Sequence, residues 1–402
     1  VRAALLACLG WLALAGSAPA DLRLERGVNL DIWVEWLSVD EMLADPEFLA
    51  VYPDWRRHYT AGTLDRLRAA GFDHVRLPLD PAPLLALGPV PARDRLIAEA
   101  RETVEEVLAA GLAVVVDLHS IPRPQEAWGT DDVVARLWPE HLALVGRVAA
   151  ALDGLPPDRV AFEPLNEPTL DCPREGDGPP RWPGMLAELH AAARGGAPEL
   201  PLVLSGACWG GIDGLEAIDP GALGDDNVIW SFHSYEPFEF THQGAVWTYA
   251  PLKHIDGLPY PPSALGQEAA LASAARAGAR AAAAGESVAP EAIAAEIARY
   301  AATSDGAVAG APLRAAAWAD RHGIARARLY LGEFGALRAG PDGRFPPGWQ
   351  HRFLSDKRRA AEALGIGWAV WNLAGDMGVA LWDDPDRRMD PDACSALGLP
   401  GC

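Results

Sequence analysis

Residues 91–120 read PARDRLIAEARETVEEVLAAGLAVVVDLHS and contain one complete unit of the fold. From Asp94 to Ala110, apolar residues recur every three or four positions among charged ones, the pattern of a helix that buries one face. Gly111 follows where such a helix needs a left-handed residue to end. Ala113-Val114-Val115-Val116 is then a short apolar run rich in β-branched residues, which suits a buried strand. The run ends in polar residues, Asp117-Leu118-His119-Ser120.

The same phrase recurs along the chain. Strand-like runs begin near Gly27-Val28-Asn29, His74-Val75-Arg76, Ala113-Val114, Val160-Ala161-Phe162, Leu202-Val203-Leu204, Val228-Ile229-Trp230, Leu329-Tyr330-Leu331 and Trp368-Ala369-Val370. Helix-patterned stretches at Thr63 to Ala70, Pro139 to Leu152 and Pro312 to His322 join the one already quoted, with Gly71, Gly323 and Gly365 as further helix ends. Eight strand–helix alternations predict an α/β fold, a (β/α)8 TIM barrel of parallel strands. The chain from 21 to 402 is expected to be a single catalytic domain, with residues 386–402 a short tail. Successive strands start 26 to 47 residues apart, except that 101 residues separate Val228 from Leu329. A helical insertion of about 251–311 is therefore expected between strands six and seven. Its Ala-rich part, Ala264 to Ala302, should form two helices broken around Gly285 to Pro290.

Active sites of such barrels lie at the C-terminal ends of the strands. Here those ends carry Arg76, His119, Asn166-Glu167-Pro168, His233-Ser234-Tyr235-Glu236, Gly332-Glu333-Phe334-Gly335 and Trp371-Asn372. Packing alone would not select charged and aromatic groups at six strand ends. Glu167 and Glu333 fall on strands four and seven, across the ring from each other. Two facing carboxyl groups are what hydrolysis of a glycosidic bond requires, one to protonate the leaving oxygen and one to attack the anomeric carbon. Glu167 is expected to have its pKa raised by burial and by the charge of Glu333. Glu333 is expected to stay ionised beside Arg76 and Tyr235.

Composition narrows the partners. There are 55 acidic against 34 basic residues, a net charge of −21, and no basic run of the kind nucleic-acid binding needs. Arg2, the apolar stretch Ala3 to Ala15 and Ala18-Pro19-Ala20 read as a signal peptide over residues 1–20, so a secreted protein, periplasmic or extracellular, is expected with no membrane association after its removal. Four cysteines then remain, Cys172, Cys208, Cys394 and Cys402, which suits an oxidising compartment. Three pairings are open; Cys172–Cys208 and Cys394–Cys402 are favoured because each staples a local loop. No zinc-like Cys spacing occurs, and neither a metal nor another cofactor is expected. Among 15 Trp residues, Trp33, Trp36 and Trp209 are placed for a cleft wall, Trp230 for the core, and Trp247 and Trp349 for rim loops.

These motifs, taken in order, resemble glycoside hydrolase family 5, the cellulase family of the 4/7 barrel superfamily. The resemblance rests on Arg26-Gly-Val-Asn29, Arg76, His119, Asn166-Glu167-Pro168, His233-Ser234-Tyr235, Gly332-Glu333-Phe334-Gly335 and Trp371. It implies Glu167 as acid/base and Glu333 as nucleophile of a retaining mechanism. It also implies Asn166 on the sugar 2-hydroxyl, Tyr235 orienting Glu333, His233 against substrate or Glu167, and Trp371 flooring the subsite. The expected partner is a β-linked polysaccharide or oligosaccharide, bound by a monomer. An endo-β-1,4-glucanase is expected first; an exo-acting β-glucosidase or β-1,3-glucanase, or a β-mannanase, would use the same scaffold. The rivals of other classes are a metal-dependent hydrolase and a non-catalytic carbohydrate-binding barrel.

Overall fold

The computed structural model describes residues 22–31, 59–121, 129–172 and 180–402. Eight strands, β1 (Arg26–Asn29), β2 (His74–Leu79), β3 (Ala113–Leu118), β4 (Val160–Glu163), β5 (Leu202–Ser205), β6 (Val228–His233), β7 (Leu329–Glu333) and β8 (Gly367–Val370), lie in chain order around a closed barrel. Every pairing is parallel, and β8 returns to pair with β1. All eight sequence-predicted strands are present. The longer helices are α1 (Ala61–Ala70), α2 (Pro91–Ala109), α3 (Trp138–Leu152), α4 (Trp182–Gly196), α5 (Gln267–Ala283), α6 (Pro290–Ala302), α7 (Gly310–His322) and α8 (Pro347–Glu362).

Strand alternation sorts residues between two cores. Val114, Val116 and Leu118 of β3 point outward and pack in the main core under the helices. Ala113 and Val115 point inward, with Ala161, Val203, Ile229, Tyr330 and Ala369, and fill the barrel floor. Continued upward, the inward series on neighbouring strands reaches Asn29, Arg76, Asp117 and Glu163, all buried. The barrel interior is thus apolar below and ionic above. At Gly27 a Cβ would stand 2.1 Å from His74 Nε2, so only glycine admits the buried His74 ring there.

Helix ends follow the sequence signals with small shifts. Thr60 caps α1, accepting from the amide of Thr63, and Gly71 closes it at φ 112°. Gly323 closes α7 at φ 68°. Gly111 and Gly365 are also left-handed and end their helices one and two residues past the right-handed cap residues Ala110 and Ala363. The break between α5 and α6 falls where expected, with Gly285 left-handed and Pro290 opening α6, its missing N–H costing nothing at that position.

The insertion is fastened ionically to the loop after β7. Buried Asp256 accepts from Arg276 Nε at 3.0 Å and Arg280 Nη2 at 2.5 Å, both on α5, and Arg280 also reaches Asp342 at 2.5 Å. Cys172 pairs with Cys208 and Cys394 with Cys402, Cα–Cα 4.6 and 6.1 Å. Among the described residues no helix is long and apolar enough to cross a membrane. The signal-like residues 1–20, Trp33 and Trp36 lie outside the described residues.

Candidate active site

Arg76 organises the barrel mouth. It is wholly buried and donates through Nε and Nη2 to both oxygens of Glu163 (2.7 and 3.1 Å). Nη1 donates to Glu333 Oε1 at 2.6 Å and Nη2 lies 2.9 Å from Asp117 Oδ2. Asn29 and Asn166 supply two more acceptors, at 3.0 and 2.8 Å. Burial disfavours the guanidinium charge, but the facing carboxylates outweigh it and hold the Arg76 pKa well above its ordinary value. One cation cannot balance this many carboxylates, so protons must be retained. Burial raises Asp117 to about 7 against the pull of Arg76, and it raises Glu163 for the same reason.

Glu167 and Glu333 meet beside this network. Glu167 occupies a left-handed backbone conformation, φ 39°, which is uncommon for a non-glycine residue and is fixed by its surroundings. Its Oε1 lies 2.7 Å from His233 Nδ1. Glu333 accepts from Arg76 on Oε1 and from Tyr235 Oη on Oε2, the latter at 2.7 Å. Oxygens of the two carboxylates and a ring nitrogen of His233 all lie within 4.8 Å of one another. Oxygens this close suit double displacement, which needs carboxyl groups ~5–5.5 Å apart, better than single displacement, where a water must fit between them.

The two carboxyl groups differ in environment. Burial pushes Glu167 up to about 7, opposed by His119 and Arg76 and reinforced by Glu163. The expectation that Glu333 would supply the reinforcing charge is corrected: the carboxylate charge that adds to burial is that of Glu163. His119 and His233 are each pushed down to about 4, chiefly by burial, and are neutral at pH 7. His119 Nδ1 lies 2.6 Å from Asp117 Oδ2, and its ring stacks on Trp371 with centroids 5.1 Å apart.

The aromatic expectations divide. Trp371 is half-buried in the site. Trp209 is 45% exposed and sits in a left-handed run, Cys208-Trp209-Gly210. The amides of Cys208 and Trp209 donate to Leu170 and Pro168 carbonyls, 2.9 Å each, and the Cys172 disulfide holds the same turn. A Cβ on Gly210 would stand 3.7 Å from both Glu167 Cγ and His233 Nδ1, so the turn borders the carboxyl pair. Trp230 is core, as expected, and Trp247 is exposed. Trp349 is corrected: it lies in α8, packed against the main core, because the helix begins at Pro347 and takes in residues expected in a rim loop.

Two members of the site escaped the sequence reading as participants. Glu163 sits inside a buried apolar strand, and Asp117 was seen only as part of a polar strand end. A carboxylate on the inward series of a parallel strand was the available signal for both. Glu167, His233 and Glu333 are also the grouping of described residues close enough to share a metal ion. Arg76 already gives Glu333 a cation belonging to the protein itself.

A family model described as cellulase, glycosyl hydrolase family 5, matches residues 45–376. Cellodextrinase A of Ruminococcus flavefaciens is 31% identical over 186 residues, 44% of this chain and 52% of that protein. Endoglucanase C of Acetivibrio thermocellus is 26% identical over 247 residues, 59% of this chain and 65% of that protein. The chain thus spans less than two thirds of the length of these curated relatives. Among solved structures, Cel5A of Thermotoga maritima, with structures in complex with cellobiose and with mannotriose, is similar at TM-score 0.64 and 22% identity. The cellobiose-complex match covers 93% of this chain and 97% of that one.

Proposed function

Because this chain belongs to the cellulase family, glycosyl hydrolase family 5, we propose that it is a retaining β-glycoside hydrolase cutting within β-1,4-linked glucan chains. The observation that carries the reading is the pair of carboxyl groups within 4.8 Å, one held protonated to near neutrality by burial and one paired with Arg76 and Tyr235.

In the proposed reaction Glu333 attacks the anomeric carbon, and the bond to the leaving sugar oxygen breaks as Glu167 gives that oxygen its proton. Glu167, now a carboxylate, takes a proton from water, whose oxygen displaces Glu333 with a second inversion. Both protons and both bonds are accounted for by these two groups and water. Arg76 and Tyr235 donate to Glu333 and keep its oxygens aimed; His233 holds Glu167 from the other side. Asn166, beside Arg76, is assigned to the sugar 2-hydroxyl. Trp371, backed by His119, is assigned as the floor, since the apolar C–H face of a sugar stacks on a flat ring. Trp209 is assigned as a second platform beside Glu167.

The substrate reading draws on the endoglucanase and cellodextrinase relatives, and the cellodextrinase supports a second possibility, action on short oligosaccharides. Export to an oxidising compartment is proposed from the two disulfides, and action as a monomer is proposed alongside it. Reducing-end release from carboxymethyl cellulose, mixed-linkage glucan, mannan, xylan and cello-oligosaccharides tests the activity, with Glu333→Gln as the blank. Release from carboxymethyl cellulose with a rapid fall in viscosity is expected. Release from oligosaccharides alone would favour the second possibility, and silence on every substrate would reject the glycosidase reading.

A further inference from the structure

Successive residues of an extended segment face opposite ways, and residues 233–235 at the end of β6 use this to address two environments. His233 and Tyr235 face the site and touch Glu167 and Glu333, each at 2.7 Å. Ser234, between them, turns away. Its hydroxyl accepts from Lys357 Nζ at 2.7 Å and donates to Glu236 Oε2 at 2.8 Å. Its amide donates to the Glu333 carbonyl at 3.1 Å. The β6–β7 register shifts between Phe232 and His233, so the ladder is irregular where it reaches the two site residues, and the His233 amide donates to the Gly210 carbonyl at 2.9 Å.

Lys357, on α8, is 0% exposed. Burying an ammonium is expensive unless it is paired. Its surroundings are the Ser234 hydroxyl, the Phe353 ring at 5.7 Å and the charge of Glu236. Burial draws its pKa down to about 8, against the opposing pull of Glu236. The packing of α8 does not call for a charge there, since Phe353, Leu354 and Ala361 already give the helix an apolar buried face. A methionine would fill the same space without the desolvation cost.

We propose that Lys357 is a positioning residue for the reaction: gripping Ser234 from behind, it sets His233 on Glu167 and Tyr235 on Glu333. This rests on the glycosidase reading given above. Lys357 touches neither substrate nor reacting atoms; it acts only through the segment it anchors.

The test compares Lys357→Met, Lys357→Arg and Ser234→Ala with the unaltered protein. Hydrolysis of 4-nitrophenyl β-cellobioside is measured across pH, and 15N signals of the histidine rings are recorded without ligand. Lys357→Met is expected to lower kcat about 10- to 100-fold, the scale of a misplacement near 1 Å, with KM nearly unchanged and the pH–rate profile displaced. The His233 ring signals should move while those of His74 and His141 stay. Ser234→Ala added to Lys357→Met should cost nothing more, and Lys357→Arg should restore part of the rate. A folded Lys357→Met protein with unchanged kcat, pH profile and His233 signals would overturn the proposal. So would a variant that only melts earlier, which would reduce Lys357 to a packing role. The ring signals need no turnover, so an unaltered protein inactive on every glycoside would sink the functional reading while His233 still reported on the positioning.

Discussion

Replacing Arg76 by methionine removes a buried cation while leaving the buried carboxylates that it serves. The guanidinium makes contacts of 2.6 to 3.1 Å to Glu163, Glu333 and Asp117, and further hydrogen bonds to Asn29 and Asn166. Breaking a buried pair from one side typically costs about 3–5 kcal/mol, because the remaining charge is uncompensated. That is a large share of the ~5–15 kcal/mol that keeps a protein folded. The sign with pH separates this cause from lost packing. Asp117 and Glu163 have raised pKa values in the fold even with Arg76 present, through burial, and removing the arginine raises them further. An acid with a raised folded pKa contributes stability that is full below its unfolded value, near 4, and is lost as pH rises through the folded value, here above the present 7 of Asp117. Because Asp117 is already raised to about 7 with Arg76 in place, the two proteins lose stability alike below that pH, and the deficit of Arg76→Met should be smallest at pH 4–5 and grow chiefly as pH rises above 7. Urea unfolding followed by tryptophan fluorescence at several pH values reads it directly. A deficit equal at pH 5 and pH 8, or below about 1 kcal/mol throughout, would refute the account of Arg76 as the counter-ion of the network.

Three further outcomes follow from the geometry. Glu167→Ala should depress hydrolysis of substrates with poor leaving groups by about 100-fold or more and spare activated aryl glycosides; equal losses on both, in parallel kinetics, would deny it the acid role. Glu167 is held near 7 by burial and must carry its proton to donate it, so kcat/KM should fall as pH rises through about 7; a flat profile to pH 9 would contradict the assignment. Cys208→Ser should release the turn that holds Trp209 beside Glu167 and raise KM, and Trp209→Ala should raise it similarly. The pair should be less than additive; full additivity in the double variant would mean that the disulfide does not act through Trp209.

Much of the barrel was legible because its signals are local and repeated. The β-branched run Val114-Val115-Val116 with a helix-ending glycine ahead and polar residues behind needs no tertiary information to be read, and the same is true of Asn166-Glu167-Pro168. What stayed hidden depends on direction. Which face of β4 carries Glu163, and that it meets Arg76 two strands away, is set by barrel closure and strand register. Lys357 offered no sign at all, since a lysine in a charged amphipathic helix reads as solvent-facing until Ser234 is seen behind it. The place of Trp349 was missed because α8 begins at Pro347, directly after a second proline, Pro346, and the sequence there reads as loop.

The ionic fastening of the insertion bears on how this scaffold can be re-engineered. Asp256 is buried and answered by two arginines of α5, one of which also grips Asp342 in the loop that leaves the Glu333 strand. A graft that exchanged residues 251–311 for another sequence would take Arg299 of α6 from buried Glu239, which it meets at 2.5 Å, whereas one that kept Asp256 and dropped α5 would bury a lone carboxylate. The rim is therefore not an independent cassette. A chimera that separates Asp256 from Arg276 and Arg280, or Glu239 from Arg299, should fold less well than one that keeps these partners together.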